Sequence, residues 1–309
     1  MSSDAGPPQA VLDLAAARAA ARRDKDYAAS DRLRDEITAA GWLVRDTPEG
    51  WALAPRPPYE VLPSVRDLPD RSADSEARRC TVALLVEGWP DDVRTCVEAL
   101  VRHAPADVVV VLLENGETGA GAVVHALAQE HPGRVEELHV ERSAGWGEAR
   151  QALLRADVAA VHVLMDVSTV LEGDALTPLL EALADDRVVG AGWKGADVED
   201  GWTSFADAGP GEVEALLGYL FAVRRRAALA VPLPAKARFY RNADLEWSYL
   251  LREAGAGRLV VPAADLPVRQ DRHRGYSDSD PSVREKESRR TYDRFLQRFR
   301  GREDLRLHR

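Results

Sequence analysis

Thr81-Val82-Ala83-Leu84-Leu85-Val86 is an unbroken run of apolar and β-branched residues that stops at Glu87-Gly88-Trp89-Pro90. A strand with one wet face would alternate apolar and polar residues. A continuous run reads as a strand buried on both faces, the habit of parallel sheets covered by helices. A second apolar run follows at 107–113 and another at 158–165, and further strands are expected at 135–140, 188–193, 218–223 and 258–261. Helical periodicity fills the intervals. It begins at Pro90, with Val93, Val97, Leu100 and Ala104 on one side, and recurs at 118–130, 145–156, 174–184 and 244–254. Alternation of this kind predicts an α/β fold with a mostly parallel, Rossmann-like sheet. The stretch after 193, as far as 211, has no period and is expected to be irregular. Asp280 as cap, Pro281 in the first turn, and the stripe Tyr292, Phe295, Leu296 and Phe299 predict a closing helix.

The N-terminal part is of another kind. Residues 1–8 are rich in Ser, Gly and Pro and are expected to be disordered. Two helices are predicted at 10–24 and 27–40, ending at Gly41. Trp42-Leu43-Val44 and Trp51-Ala52-Leu53 flank Thr47-Pro48-Glu49-Gly50, the pattern of a β-hairpin. Residues 55–79 carry several prolines and mixed charge, which reads as a linker or a wrapping strap. The expected division is 1–54, 55–79 and 80–309.

Hydrophobic residues make up 45% of the 309, ample for a core. The net charge of −10 disfavours a nonspecific grip on nucleic acid, which depends on Lys and Arg neutralising phosphates. The tail is the exception, with 13 Lys/Arg against 8 Asp/Glu from Arg269 onward. Cys80 and Cys96 form neither a disulfide framework nor a metal spacing. No basic-then-apolar leader is evident, and no apolar run reaches the ~18 residues of a membrane span, so the cytoplasm is the expected location.

Ligands of parallel sheets bind beyond the carboxyl ends of the strands. Those ends are Glu87, Glu114-Asn115 and Asp166. Asp166, with Ser168 two residues on, could hold Mg²⁺ or Mn²⁺ through oxygen, or cap its own turn. Glu114-Asn115-Gly116 could receive a ribose or base, or be a plain turn. Gly145-Trp146-Gly147 opens a helix carrying Arg150, whose N-terminus could face an anion. Asp244 and Glu246 open a later helix pointing in different directions, so that one could be a general base and the other solvated. His273, between Arg272 and Arg274, could ligate a metal or meet an anion. The other histidines (103, 125, 131, 139, 162, 308) form no ligand-spaced cluster.

Taken together, the order of these motifs from about Thr81 to the C-terminus resembles a family 2 glycosyltransferase of the A-type fold. Leu112-Leu113-Glu114-Asn115-Gly116 is similar to that family's second strand, and Gly147-Glu148-Ala149-Arg150 to its Gly-x-Ala-Arg helix start. Leu164-Met165-Asp166-Val167-Ser168 stands at the Asp-x-Asp motif, and Asn242-Ala243-Asp244-Leu245-Glu246 at the catalytic-base helix. His273-Arg274-Gly275 resembles a late histidine of the metal site. The resemblance implies a nucleotide-diphosphate sugar donor, a divalent cation (Mg²⁺ or Mn²⁺) on Asp166 and His273, and Asp244 as base. Donor contacts would come from Glu87, Glu114, Asn115, Arg150, Asp166, Ser168, Arg272 and Arg274. Three departures stand out. Glu87-Gly88-Trp89 replaces the usual first-strand ending, Ser168 replaces the second acid, and Arg241-Asn242 replaces a Glu-Asp pair. They motivate an alternative, a nucleotide-sugar-binding protein without turnover.

Residues 13–53, through Lys25-Asp26-Tyr27-Ala28, Asp31-Arg32-Leu33-Arg34-Asp35-Glu36 and Asp46-Thr47-Pro48-Glu49-Gly50, resemble the C-terminal helical region of cysteinyl-tRNA synthetase. The synthetase's His-x-Gly-His and Lys-Met-Ser-Lys-Ser motifs are missing, so aminoacylation is not expected. The segment implies either a tRNA or protein contact or a reused packing element.

Overall fold

The computed structural model describes residues 6–263 and 265–307, so residues 1–5 of the expected disordered segment and His308 lie outside the described residues. The chain divides into two compact units, Met1–Glu60 and Val61–Arg309.

The first unit contains helices α1 (Gln9–Arg23) and α2 (Tyr27–Ala39) and the antiparallel strands β1 (Trp42–Thr47) and β2 (Gly50–Pro55). Lys25 adopts a left-handed φ of 58°, and the Asp26 carboxylate accepts from Ala29 N–H at 3.0 Å, so one helix stops and the next is capped within three residues. Gly41, at φ 83°, ends α2 where a side chain would be strained. Val11, Ala15, Ile37 and Val44 form the core. Arg18 is buried in it and reaches Asp46 at 2.8 Å.

The second unit runs β3 (Arg78–Val86), α3 (Pro90–His103), β4 (Val108–Asn115), α4 (Gly121–Glu130), β5 (Val135–Val140), α5 (Trp146–Ala156), β6 (Ala159–Met165), β7 (Thr169–Leu171), α6 (Leu176–Ala182) and β8 (Val188–Gly192). It continues with β9 (Gly195–Val198), β10 (Phe205–Ala208), β11 (Gly211–Val213), β12 (Ala215–Leu216), β13 (Leu220–Arg224), α7 (Arg225–Ala230), α8 (Ala243–Glu253), β14 (Arg258–Val261), β15 (Val268–Gln270), α9 (Arg274–Ser277) and α10 (Pro281–Phe299). Eight strands form the main sheet in the order β11-β14-β8-β13-β6-β3-β4-β5. Strands β6, β3, β4 and β5 are mutually parallel, β14 is parallel to β8, and β13 is inserted antiparallel between β8 and β6.

Helices cover both faces. Val82, Leu84 and Val86 of β3 point into a core with α3, α4 and α6, while Ala83 and Leu85 point into one with α5, α7 and α8. Alternate residues of one strand thus enter two cores, and for that reason the run carries no polar face. Residues 61–79 are a strap belonging to this unit. Leu62 pairs with Val140, and Val65 and Leu68 are buried against α5. The stretch expected to be irregular after residue 193 instead forms a small antiparallel sheet, β10-β9-β12. Its strands span two to four residues of mixed Gly, Ala and Asp, too short for a period to register. The capped closing helix is present: Asp280 accepts from Ser282 and Val283 N–H at 2.9 and 3.1 Å, and Phe295 and Phe299 are buried beside Tyr249 of α8.

Candidate active site

The carboxyl ends of β3, β4 and β6 open onto two adjoining cavities. The larger, about 440 Å³, is walled by Trp89, Asn115, Thr118, Arg238, Phe239 and Val283, among others. The smaller holds Arg150, Asp166, Ser168, Arg272, His273 and Arg274. Glu87, Trp89 and Gly275 belong to both walls and join them into one cleft.

Asp166 follows the last residue of β6 and is 9% exposed. One carboxylate oxygen accepts from Ser168 N–H at 2.9 Å and from the Ser168 hydroxyl. The other faces Nε2 of His273 at 2.6 Å. His273 caps the short helix α9: its Nδ1 accepts from Tyr276 N–H at 2.9 Å, so the ring proton stands on Nε2 and points at Asp166. The ring also stacks on Tyr240, with centroids 4.5 Å apart. Burial alone would push the Asp166 carboxyl up; the hydrogen bond and charge of His273 outweigh it and hold the group below its ordinary value. For His273 burial works downward, and the bond and charge of Asp166 raise the ring above 6.5.

Glu87 follows the last residue of β3 and lies between the two cavities. Burial pushes its carboxyl up, against the opposing charges of Arg238 and His273. The turn after it is strained. Gly88 has φ 129°, and Trp89, a bulky residue at φ 52°, is swung into the cleft wall by a left-handed backbone that costs of order 1–3 kcal/mol.

Glu114 is 6% exposed and fully engaged. One oxygen accepts from the Thr118 hydroxyl at 2.9 Å and the other meets Nδ1 of His139 at 2.8 Å. Asn115, beside it, lines the cavity and clamps Ala144, taking its N–H at 2.8 Å and giving to its carbonyl at 3.0 Å. Arg150 is 2% exposed and donates to the carbonyls of Ala83 and Met165 at 2.6 and 2.8 Å, tying β3 to β6 beneath Asp166. Burial lowers its guanidinium to about 10, so it stays charged at neutral pH. Arg272 and Arg274 lie in the cleft wall and pair with Asp278 and Asp92.

Two expectations need correcting. The N-terminus of α5 does not offer its first N–H groups to an anion, because Trp146 and Gly147 donate to the carbonyls of Arg238 and Ala237 at 3.1 and 3.0 Å. Glu246 is not solvated; it is 5% exposed and held by Arg294 of α10 at 2.7 Å. Asp244 is also buried, and accepts from Gly218 and Leu245 N–H, both at 2.9 Å. Burial pushes its carboxyl up to about 6. Asp244 lines neither cavity; Tyr240, whose ring stacks on His273, feels the charge of both sites. Burial and Tyr219 raise the Tyr240 hydroxyl, and the negative charges of both Asp166 and Asp244 add to the rise. Asn242, before α8, is left-handed at φ 65°, a conformation Asn tolerates, and its side chain donates to the Ser288 carbonyl at 3.2 Å.

Sequence reasoning missed Trp89 and Arg238 as cleft residues, and Tyr240 as the ring stacked on His273 behind the cleft wall. Arg238 sits in a Pro- and Ala-rich loop with no motif; only the packing of that loop on α5 delivers it. Gly147 is the trace of that packing, since a Cβ there would stand 1.9 Å from the Pro234 carbonyl oxygen.

Two solved structures resemble the chain. One is GalNAc-T7 with UDP, GalNAc and Mn²⁺, at TM-score 0.56 and 17% identity, covering 71% of this chain and 48% of that one. The other is the mannosyltransferase PcManGT from Pyrobaculum calidifontis in complex with GDP-Man and Mn²⁺, also at 0.56 and 17%, covering 81% and 72%. The fold is that of the A-type glycosyltransferases. Shares of this size draw mainly on the larger unit. Within this glycosyltransferase-like fold, the cleft lies at the strand ends where such sheets take ligands.

The smaller unit has its own relatives. Residues 4–50 match the cysteinyl-tRNA ligase anticodon binding domain. Cysteine–tRNA ligase of Frankia casuarinae is 53% identical over 51 residues, 16% of this chain and 9% of the ligase. Cysteine–tRNA ligase 1 of Burkholderia lata is 50% identical over 46 residues, 15% of this chain and 10% of the ligase. The chain therefore spans about a tenth of the length of these curated relatives. No helix among the described residues is long and apolar enough to cross a membrane.

Proposed function

We propose that residues 61–309 transfer a hexose-type sugar from a nucleotide-diphosphate donor to an acceptor hydroxyl, with inversion at the anomeric carbon. The observation that carries this reading is the joined cleft: a cavity of about 440 Å³ beside Asn115 and Arg238 for the nucleoside diphosphate, bordered by a recess of about 20 Å³ at Asp166 and His273. Glu114 acts by holding Thr118 at the cavity wall. Arg150 braces the floor, and Arg272 and Arg274 turn from Asp278 and Asp92 to the leaving diphosphate.

A carboxylate and an imidazole suit Mg²⁺ or Mn²⁺, and such ions take their remaining ligands from phosphates and water. Among the described residues no group of three or more His, Cys, Asp or Glu that could hold a metal is present. Asp166 would hold the ion, and His273 would join it only by giving up its Nε2 proton and exchanging the bond that Nδ1 accepts from Tyr276 N–H; the bound ion would supply positive charge to the diphosphate. Asp244, with its carboxyl near 6, takes the proton of the acceptor hydroxyl. The hydroxyl oxygen forms the new bond to the anomeric carbon as the bond to the nucleoside diphosphate breaks on the opposite face. A thermal-shift screen of nucleotide sugars with and without Mn²⁺ identifies the donor, because a ligand stabilises by mass action. Calorimetry then shows that affinity lost in Asp166→Ala; unchanged affinity refutes the reading.

A tRNA contact by the first unit is favoured by its anticodon-binding relatives and opposed by its charge, 8 Lys/Arg against 10 Asp/Glu in residues 1–60. A gel shift with bulk tRNA at low salt decides it, and an unretarded band eliminates that partner.

A further inference from the structure

The ligand-facing ends of the main sheet follow one another across it. Asn115 and Glu87 mark β4 and β3 at the larger cavity, and Asp166 marks β6. Beyond them stand Tyr219, just before β13, and Trp193-Lys194, just after β8. Because β13 is antiparallel to both neighbours, its start lies at this same end. The Tyr219 carbonyl accepts from Asp166 N–H at 3.2 Å, and Gly218 N–H donates to Asp244 at 2.9 Å. Gly218-Tyr219 thus joins the two acids of the proposed reaction, on the side of Asp166 away from the larger cavity.

Cations gather on this side. The Lys194 ammonium lies over the Trp193 ring at 4.4 Å and the Tyr219 ring at 6.0 Å. Tyr219 packs on Tyr240, with ring centroids 5.8 Å apart. The next residue, Arg241, lies over Tyr276 at 5.9 Å, and Arg284 lies over the same ring at 5.4 Å. Burial raises the Asp244 carboxyl, and the charge of Arg241 is among the influences that oppose the rise. Lys194 and Arg241 are both exposed, and neither forms an ion pair among the described residues. Such cations stand out in a chain where Asp and Glu outnumber Lys and Arg by 51 to 41. The acids of the adjoining α8 are committed elsewhere: Glu246 to Arg294, Glu253 to Arg298 and Arg302, and Asp244 to backbone N–H groups.

An aromatic face steadies a cation without consuming its N–H donors. Much of the ordering cost is then met before a ligand arrives, and the donors stay available to an oxyanion. A neutral acceptor has no use for positive charge on both sides of the Tyr219–Tyr240 pair; an acceptor bearing a carboxylate or phosphate is complementary to it. Resting on the transfer reading above, we infer that the acceptor is an anionic hydroxylated molecule, its carboxylate or phosphate held by Lys194 within the positive field of Arg241 and its hydroxyl toward Asp244.

The probes are D-glucuronate, D-glucose 6-phosphate and D-glucose. Each is titrated into the full-length chain while ¹H–¹⁵N spectra follow the Trp193 indole N–H, assigned with Trp193→Phe. The expected result is a saturable shift with the anionic sugars and none with glucose; the tighter of the two names carboxylate or phosphate as the group bound. Lys194→Gln weakens that binding about tenfold or more, the worth of one charge-assisted hydrogen bond. Lys194→Arg keeps the charge and retains binding, which separates recognition from packing on Trp193. Arg241→Gln weakens it by a smaller factor that vanishes at high salt, the mark of a field effect. Glucose binding as tightly as the anions, no shift with either anion, or unchanged affinity in Lys194→Gln overturns the inference. The nucleotide-sugar thermal shift is read separately: a donor response without an anion response removes the anionic acceptor alone, and the absence of any donor response removes the transfer reading with it.

Discussion

Two Asp–His pairs stand at opposite ends of one sheet. Asp166 and His273, 2.6 Å apart, come from distant parts of the chain and keep 12% and 15% of their side-chain surface. Asp157 and His162, 2.8 Å apart, sit on the C-cap of α5 and in β6 and keep 2% and 1%. In the first pair, among the described residues, only a serine shares the carboxylate, and the ring caps a four-residue helix. In the second, three further donors lock the carboxylate and no partner among the described residues meets the outer nitrogen. The chemistry of the pair is the same; what differs is access. A pair on a cleft wall can exchange partners with a ligand, and a sealed pair holds two elements together.

The largest expected effects come from removing each carboxylate. Asp166→Ala eliminates the nucleotide-sugar response and leaves stability nearly unchanged, whereas Asp157→Ala destabilises the fold by about 3–5 kcal/mol, the cost of orphaning a buried partner. Denaturant titration beside calorimetry tests the contrast, and it breaks if the two variants behave alike. Next, Asp244→Asn lowers turnover by ~10²–10⁴ while donor binding persists. Because Asp244 must be ionised to accept a proton, the wild-type rate rises with pH through about 6, and that limb is absent from the variant's pH profile.

A smaller effect concerns acid stability. Burial opposes ionisation of Asp157, but His162 and Thr81 hold its folded carboxyl below 3.8. Its contribution is therefore present above 3.8 and is lost as the pH falls through the folded value. The melting-temperature gap between wild type and Asp157→Asn should be wide near neutrality and close in acid; a gap that widens in acid contradicts the sign. Smallest of all, Glu87→Gln should weaken donor binding less than about tenfold, since burial already pushes this carboxyl toward its neutral form. Isothermal titration at two pH values measures it, with the smaller loss expected at the lower pH.

Legibility followed the length of the elements. Strands β3, β4 and β6 announce themselves because each is buried on two faces and so reads as an apolar run. Asp280-Pro281 announces α10 because capping is a local event. The β10-β9-β12 sheet and α9 do not, being too short to carry a period. Acids at strand ends could be named in advance, but not their partners. Glu246 found Arg294, Glu114 found His139, and the open N-terminus of α5 found the carbonyls of its neighbouring loop. Each partner lies far away in the chain or in a segment without a motif.

By itself the sequence determined the α/β class, the strand ends that carry acids, and the separate character of the first unit. All of these rest on periodicity, composition and caps, which neighbouring residues set among themselves. Only the tertiary structure decided which of those acids are open and which are sealed. Accessibility and charge pairing depend on what the chain brings back against each strand end: His273 to Asp166, Arg238 to Glu87, and the strap and α5 over His162. No local pattern records those returns.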